Sequence, residues 1–474
     1  MAGPSAPENS NSCIVVVDGE QYDLTDFLPK HPGGPSLLLF VHGRDATIAV
    51  NTAHKDPHRT VYPVLKKYKI ESTKKREEVM KDKLGIPNFL LPPQYNAITD
   101  APTYNFDPKD ESLLINKVRK RIMVKEVQQK IKQIDKAFDS VVVALLVAYF
   151  ALQYLWFKGF VPSLLVVPLL ALLRTGIAGG GHYYIHRGGS LFPHALFDIN
   201  YVGTGFTGLD GHVLLHHVFT QKDADVKRGF FGGMMGVPRL FRIPAHTLHK
   251  LGHMTTGMLI RGYDFETDSD NRENQGVSLK LRKMGLSTCN WGFWMMQALL
   301  RVELVLAIYC GFFWSWLAQF VLSLWINTLL VVSSHDFTQI IEPDTKDWAR
   351  FQLLNAHDMV ILGNPWIDCF LGAGLVQHRA HHILPYQRSG WANHYSEKFI
   401  EAAAKEAGLP WLPPKNLFTE ILPDIINRQL LVPMCDPVSR KQTYPSFAAE
   451  HLTPSAWLYT LVYIAKGLSG IGSV

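Results

Sequence analysis

Long apolar segments alternate with polar, histidine-containing stretches along the chain. Four apolar segments lie at about 140–157, 159–179, 290–312 and 314–334. Each approaches the roughly 20 residues that a helix needs to cross a bilayer. Because they come in two close pairs, with Lys158 and Gly159 marking a tight turn in the first, the pattern predicts membrane-spanning helices rather than buried helices of a soluble protein. Arg301 and Glu303 interrupt the third segment, and the cost of charge inside a bilayer predicts that they are paired or line a site.

The stretches around the apolar segments differ in composition. Residues 71–110 are first charged and then rich in proline, which predicts a semi-rigid linker. Residues 111–137 are basic and amphipathic, and they predict a helix along the cytosolic membrane surface. No aromatic platform accompanies this charge, so nucleic acid is not expected as a partner. Residues 416–474 are expected to form a cytosolic or interfacial C-terminal tail, in which the apolar stretch 457–465 is too short to span.

The overall composition agrees with a membrane protein. Hydrophobic residues make up 47% of the 474 residues and charged residues 19%, with a formal net charge of +6. The polar residues 1–12 do not resemble a cleavable signal peptide, so we expect the N-terminus to be cytosolic. The five cysteines have no spacing typical of a disulfide framework or a thiolate metal site. They are Cys13, Cys289, Cys310, Cys369 and Cys435.

Three histidine clusters lie next to the apolar segments, at 182–186, 212–217 and 378–382. Their spacings, three to five residues, place imidazoles on one face of a helix, and neutral imidazole is a common nitrogen ligand of iron, zinc or copper. Eight such ligands suit two metal ions, and His335 is a ninth candidate. A site rich in nitrogen and without sulfur favours iron over magnesium or calcium. The eight are His182, His186, His212, His216, His217, His378, His381 and His382.

The order of clusters and apolar segments predicts that all three clusters meet. Only 26 residues separate His186 from His212, too few for an additional helical hairpin across the bilayer. Two predicted spans separate the second cluster from the third, and they return the chain to the same side. A zinc hydrolase is the competing chemistry, but no cluster has the HExxH pattern with its glutamate base. A further group, His246, His249 and His253, is expected to pack at an interface rather than to bind metal.

Residues 13–70 predict a small separate domain. Cys13–Val17 is a short β-type run, Asp18-Gly19 is a turn signal, and His31-Pro32-Gly33-Gly34 forms a tight turn that holds one imidazole near the backbone. A second histidine, His54, follows a short helical stretch. Two neutral imidazoles on opposite sides of a crevice are what a six-coordinate, electron-transfer haem requires.

The segment 22–34, together with Asp45-Ala46-Thr47 and His54, resembles the cytochrome b5 haem domain. The resemblance covers about sixty residues. It implies that haem b is held by His31 and His54 as axial ligands. His58 is a rival for the second position, although its spacing from Asp45 fits less well.

Taken over residues 13–415, the chain resembles the membrane fatty acid desaturases that carry an N-terminal cytochrome b5 domain. The segment 211–217 with Phe219-Thr220 and Asp223-Ala224-Asp225 is similar to the family's second histidine box and its flank. The segment 347–352 is similar to the region ahead of the third box. Two positions depart from the pattern. His378 stands where front-end desaturases usually have glutamine, and Tyr183 stands where the first box usually has aspartate.

The resemblance implies a multi-domain fold: a small α+β haem domain (13–70), the linker (71–110), and an all-α integral membrane domain (111–415). That last domain would have about four transmembrane helices and a cytosolic histidine-rich cap, in a multi-pass protein of the endoplasmic reticulum membrane. The nine histidines named above would hold two non-haem iron ions. Cytochrome b5 reductase would supply electrons, and the substrate would be a long-chain fatty acyl group carried by coenzyme A or a lipid.

Two other functions remain open at the level of sequence. A fatty acyl or sphingolipid hydroxylase could use the same ligands and the same electron source. A membrane haem electron carrier with an inactive second site would have the same domain order.

Overall fold

The structure is a computed structural model that describes most of the chain. His335 lies outside the described residues, as do His194, His253, the acidic flank of the second box and most of the predicted linker. The described residues are 13–41, 45–71, 103–187, 195–200, 212–213, 216–221, 232–252, 291–334, 341–436, 439 and 441–469.

The N-terminal unit is built on a β-hairpin. Strands β1 (Ile14–Val17) and β2 (Glu20–Asp23) pair antiparallel. Asp18 and Gly19 connect them with φ of 50° and 77°, which is the two-residue turn that the Asp-Gly pair predicts. Four helices and two 3-10 turns complete the unit: α1 (Pro35–Phe40), α2 (Thr47–Ala53), α3 (Pro57–Thr60), α4 (Tyr62–Leu65), Thr25–Lys30 and Lys66–Tyr68.

The rest of the described chain is mostly helical. Its first half contains α5 (Leu114–Ile122), α6 (Lys125–Phe157), α7 (Ser163–Ile185), a 3-10 turn (Ala195–Asn200), α8 (His217–Phe219), α9 (Gly232–Met235), a 3-10 turn (Arg239–Phe241), α10 (Arg242–Gly252), α11 (Trp291–Tyr309) and α12 (Phe313–Ser333). Its second half contains α13 (Trp348–Leu354), β3 (Met359–Val360), α14 (Pro365–Leu371), α15 (His378–Ile383), α16 (Gly390–Glu406), β4 (Lys415–Asn416), π-helical turns (Leu417–Ile421 and Ile426–Leu430) around α17 (Leu422–Ile425), α18 (Phe447–Leu452) and α19 (Pro454–Ser469). Strands β3 and β4 pair in parallel.

Three helices of the described chain are long and apolar enough to cross a membrane: α6, α7 and α12. Helix α11 covers the third predicted apolar segment, and the total of four spans stays a prediction. Helix α6 begins at Lys125, within the basic stretch, and continues without a break into the apolar segment. Ile131, Ile134 and Phe138 form a buried face in its first half. The basic stretch therefore divides between α5 and the first turns of α6. Lys158 and Gly159 form the turn before α7, as predicted, with Gly159 at φ 76°.

Residues at the end of the predicted linker belong structurally to the helical unit. The backbone N–H of Asn105 donates to the Lys346 carbonyl, and Phe106 is buried beside Trp348 in the same apolar cluster as α5. In the C-terminal segment, α19 packs along α10, and Tyr463 is buried against both His246 and His249. This contact matches the packing role expected for those two histidines.

Glu303, one of the two charges that interrupt the third apolar segment, forms an ion pair with Arg174 of α7. Both side chains are almost fully buried. Tyr149 of α6 donates its hydroxyl to Glu303 Oε2 at 2.6 Å, and Arg174 Nη1 donates to the Ile199 carbonyl at 2.7 Å. The pair thus connects three helices and the 3-10 turn 195–200, so the charge predicted to need a partner has one.

This network predicts a specific stability pattern. Replacing Glu303 by alanine should leave the Arg174 guanidinium buried without its counter-ion, at a cost of about 3–5 kcal/mol. The double variant R174M/E303L removes both charges and should recover most of that loss. Thermal unfolding of the detergent-solubilised protein measures the difference. If the double variant were as unstable as E303A, the ion pair would not be the reason for the loss.

Candidate functional sites

Two half-buried imidazoles face each other in the N-terminal unit. His31 follows the 3-10 turn Thr25–Lys30, and His54 follows α2. The ring centroids of His31 and His54 are 6.5 Å apart. In each ring Nδ1 is within hydrogen-bonding distance of a backbone carbonyl oxygen. His31 Nδ1 lies 2.9 Å from the oxygen of Gly34, and His54 Nδ1 lies 3.0 Å from the oxygen of Val50. When Nδ1 donates to a carbonyl, Nε2 carries the free lone pair that a metal needs.

This geometry fits a haem iron between the two rings. Two metal–nitrogen bonds of about 2 Å, plus the two ring radii, place opposed imidazole centroids roughly 6 Å apart. Burial lowers the pKa of both His31 and His54, which keeps them neutral. His58, the rival ligand, instead stacks on Tyr62 with centroids 4.6 Å apart and an interplanar angle of 8°. The arrangement therefore favours His54 over His58.

The three histidine clusters converge on one buried centre. Cluster one lies at the C-terminal end of α7, cluster two begins at His212 and runs into α8, and cluster three forms α15. Seven of the eight imidazoles are buried, and His186 is half-buried. Two groups of potential ligand atoms result, each with its atoms within 4.8 Å of one another: His182, His186, His212 and His381 in the first, and His216, His378 and His382 in the second.

His217 lies next to two members of the first group, His212 and His381. Its Nε2 is 3.2 Å from His212 Nε2 and 3.0 Å from His381 Nε2, while His182 and His212 approach to 2.7 Å through the same atoms. Two nitrogens bound to one metal at about 2 Å lie about 3.3 Å apart in a tetrahedron. Facing lone pairs repel unless a proton or a cation lies between them, so the donor set fits a metal ion in each group.

Three of the imidazoles at this centre are held in the neutral form. Burial lowers the pKa of His212, His217 and His381 well below the usual histidine value, and the neighbouring imidazoles lower it further. Neutral rings are the form in which histidine binds a metal. The structure thus brings together eight of the nine predicted ligands, and it does not describe the ninth, His335.

Three glycines let the chain close around the first cluster. A Cβ at Gly181 would lie 2.2 Å from the backbone nitrogen of Phe197, and one at Gly179 would lie 2.8 Å from the Ala373 carbonyl carbon. A Cβ at Gly180 would meet Val142 at 2.7 Å. The segment Gly179–Gly181 directly precedes His182, so the missing side chains allow three other segments to approach the helix just before its first ligand.

Gln352 and Thr220 contact the third cluster from outside. His382 Nδ1 is 2.9 Å from Gln352 Oε1 and 3.4 Å from Thr220 Oγ1. Thr220 also donates to the His216 carbonyl at 2.7 Å. Both residues lie in segments that resemble the desaturase family, but the sequence did not show what they do. An acceptor at Nδ1 fixes the tautomer that presents Nε2 to a metal.

Other supporting contacts could not be found from the sequence. Arg379, inside α15, donates through its backbone N–H and its Nε to the buried Asp358 carboxylate, at 2.9 and 2.7 Å. Tyr183, next to His182, donates to the Gly374 carbonyl at 2.9 Å and accepts from Asn393 at 3.2 Å. The tyrosine that replaces the usual aspartate therefore fastens α7 to the loop before the third cluster. No local motif links Asp358 to Arg379, because only folding brings them together.

Comparison with known proteins identifies the N-terminal unit. Residues 5–75 match the family described as "Cytochrome b5-like Heme/Steroid binding domain". The chain has a cytochrome b5 domain. Among curated proteins, it is 42% identical over 60 residues to Delta(5) fatty acid desaturase A of Dictyostelium discoideum, and 38% identical over 68 residues to Acyl-lipid (8-3)-desaturase B of the same organism.

These matches are confined to the cytochrome b5 domain. They cover 13% and 14% of this chain, and the same shares of the two desaturases. L-lactate dehydrogenase (cytochrome) of Wickerhamomyces anomalus is 58% identical over 33 residues, covering 7% of this chain and 6% of that protein. Enzymes of different chemistry thus share the domain, so it does not identify the helical unit that follows. No solved structure matches the chain significantly.

The cytochrome b5 domain yields the first site prediction. Changing His31 or His54 to alanine should abolish haem binding, because each removes one of two opposed ligands. His58→Ala should leave the haem in place, since that ring stacks on Tyr62 instead. The absorption spectrum of the purified, reduced protein reports the result. A spectrum lost in the His58 variant and kept in the His54 variant would reverse the ligand assignment.

The contact between Gln352 and His382 yields a second prediction. Gln352→Leu keeps the side-chain bulk but removes the acceptor at His382 Nδ1, and it should weaken metal binding by about 10–100-fold. Gln352→Glu keeps an acceptor oxygen and serves as the matched control. Metal analysis of the purified variants gives the bound metal per haem. Equal metal content in the leucine variant and the unmodified protein would exclude this orienting role.

Proposed function

We propose that this protein is an oxygen-dependent fatty acyl desaturase that receives electrons through its own cytochrome b5 domain. The observation that carries the proposal is the convergence of three histidine clusters into two buried ligand groups, in a chain that also has a cytochrome b5 domain. A buried all-imidazole donor set with a one-electron haem donor fits oxygen chemistry at iron. It fits hydrolysis poorly, because a hydrolase has no use for an electron donor.

The proposed reaction converts two adjacent methylene groups, O2, two electrons and two protons into a double bond and two water molecules. Two non-haem iron ions would supply the oxygen activation when bound. The residues of this chain have separate tasks. The eight described imidazoles would hold the ions, and Gln352 would orient His382. Burial of the centre would exclude water and so protect the reaction from side paths.

Membrane topology supports an acyl substrate. Helices α6, α7 and α12 are able to span a bilayer, and α7 carries His182 within its last turn. We infer that α11 is a fourth span, and that the histidine centre and the haem domain lie on the cytosolic face of the endoplasmic reticulum membrane. Cytochrome b5 reductase is the proposed external electron donor. His335, which follows α12 by two residues, stays a ninth proposed ligand.

The two Dictyostelium relatives are named as a fatty acid desaturase and an acyl-lipid desaturase. We therefore propose long-chain acyl groups, including polyunsaturated ones, as the substrate class. His378 belongs to the second ligand group, which supports metal binding at the position where front-end desaturases usually have glutamine. The position of the new double bond does not follow from this ligand set, and hydroxylation at the same centre is the second candidate.

The test is to express the protein in a host, supply a panel of fatty acids, and analyse the lipids by mass spectrometry. Desaturation lowers the product mass by about two units, whereas hydroxylation raises it by about sixteen. His381→Ala should abolish the product because it removes a ligand of the first group, and it should leave the haem spectrum intact. His31→Ala, the complementary control, should remove the haem and keep the non-haem metal.

Three outcomes would count against the proposal. A product heavier by sixteen units would favour the hydroxylase. One haem with no non-haem metal in the purified protein would favour a membrane electron carrier with an inactive second site. Unchanged product from the His381 variant would show that the histidine centre is not where the reaction takes place.

A further inference from the structure

The cytochrome b5 domain makes a defined contact with the helical unit. Ile48 in α2 is buried, but it lies outside the domain's own apolar cluster. It belongs instead to the cluster formed by Phe106, Leu114 and other residues of the helical unit, and Ala49 packs against that cluster. The helix that leads to His54 therefore contributes an apolar face to the second unit.

Arg119 of α5 forms a polar contact in this interface. Its Nη2 donates to the carbonyl of Asn51, in the last turns of α2. Burial lowers the pKa of Arg119, and the nearby Tyr386 and Asp56 oppose this shift. Ile131 of α6 belongs to the same apolar cluster as Ile48. The His54 side of the domain thus faces α5 and α6.

The other side of the same interface leads to the histidine centre. Ile383 and Leu384 are fully buried in the cluster that contains Ile48, and they directly follow His382. Tyr386 comes two residues later, packs against this cluster, and is near Arg119. Packed side chains therefore connect α2, which precedes one proposed haem ligand, with the end of α15, which carries three proposed metal ligands.

We propose that Arg119, together with Ile48, docks the haem domain with its His54 side towards the end of the third histidine cluster, and that this docked position is the one that donates electrons. The proposal rests on the proposed function. The haem that His31 and His54 would hold would supply one electron at a time, and the metal ions that the histidine clusters would hold would accept it. Two such electrons, with O2, two protons and the two hydrogens removed from the acyl chain, would complete one turnover.

Arg119 is a positioning residue in this proposal. The rate of electron transfer falls steeply with distance, so a domain tethered only by a linker would spend much of its time too far from the centre. A fixed contact maintains the productive orientation, in the way that positioning contacts accelerate other bimolecular steps. The basic Lys120 is the next residue on the same helix but is exposed. It offers a control that changes the net charge equally.

The experiment compares the full-length protein with its R119A, R119K and K120A variants. Stopped-flow absorbance follows re-oxidation of the reduced haem after addition of acyl substrate and O2. Hydrogen exchange of the substrate-free protein follows residues 47–53 and 114–122, independently of turnover. R119A should slow haem re-oxidation by about ten-fold or more and increase exchange in both segments. K120A should match the unmodified protein, and R119K should recover part of the rate.

Each outcome decides the proposal. If R119A and K120A both re-oxidise the haem at the rate of the unmodified protein, the proposal is overturned. Slower re-oxidation with unchanged exchange would also overturn it, because Arg119 would then act without holding the domain. If the unmodified protein forms no product and shows no substrate-dependent re-oxidation, the proposed function fails. The exchange measurement would still show, separately, whether Arg119 docks the domain.

Discussion

The need to bury several neutral imidazoles with their ring nitrogens facing one another governs the helical unit. His182, His212, His217 and His381 approach to 2.7–3.3 Å through Nε2 atoms. In such an arrangement lone pairs repel one another unless a proton or a cation lies between them, and burial prevents water from relieving the repulsion. Three segments far apart in sequence contribute the rings. Their backbones must therefore be positioned accurately before any metal can be held.

The surrounding packing provides that accuracy. The glycines at 179–181 remove side chains where Val142, Phe197 and Ala373 approach α7. The Arg174–Glu303 pair ties the same helix to α11 and to the turn 195–200. Arg379 fixes α15 to Asp358. These contacts involve residues outside the proposed set of ligands, and they hold the segments that carry the histidines in place.

The cytochrome b5 domain has its own small core, and among its described residues Ile48 and Ala49, in the helix before His54, contribute to the larger apolar cluster. Its relatives include enzymes of different chemistry, so the domain by itself does not identify the unit that follows it. In this chain the contacts of the domain lead through α5 and Tyr386 towards the third histidine cluster.

Local signals in the sequence determined the elements and the candidate ligands. The Asp18-Gly19 turn, the His-Pro-Gly-Gly turn, the apolar segments and the histidine spacings each depend on a few neighbouring residues, so they could be interpreted without a fold. The tertiary structure adds to the spacing argument for His54 over His58, because the stacking of His58 on Tyr62 depends on how α3 and α4 pack. It also decided which seven of the histidines form the two groups of potential ligand atoms, and which partner balances Glu303. The Arg119–Asn51 contact joins residues 68 positions apart. Such pairings depend on distances between helices, and no local pattern of residues encodes these distances.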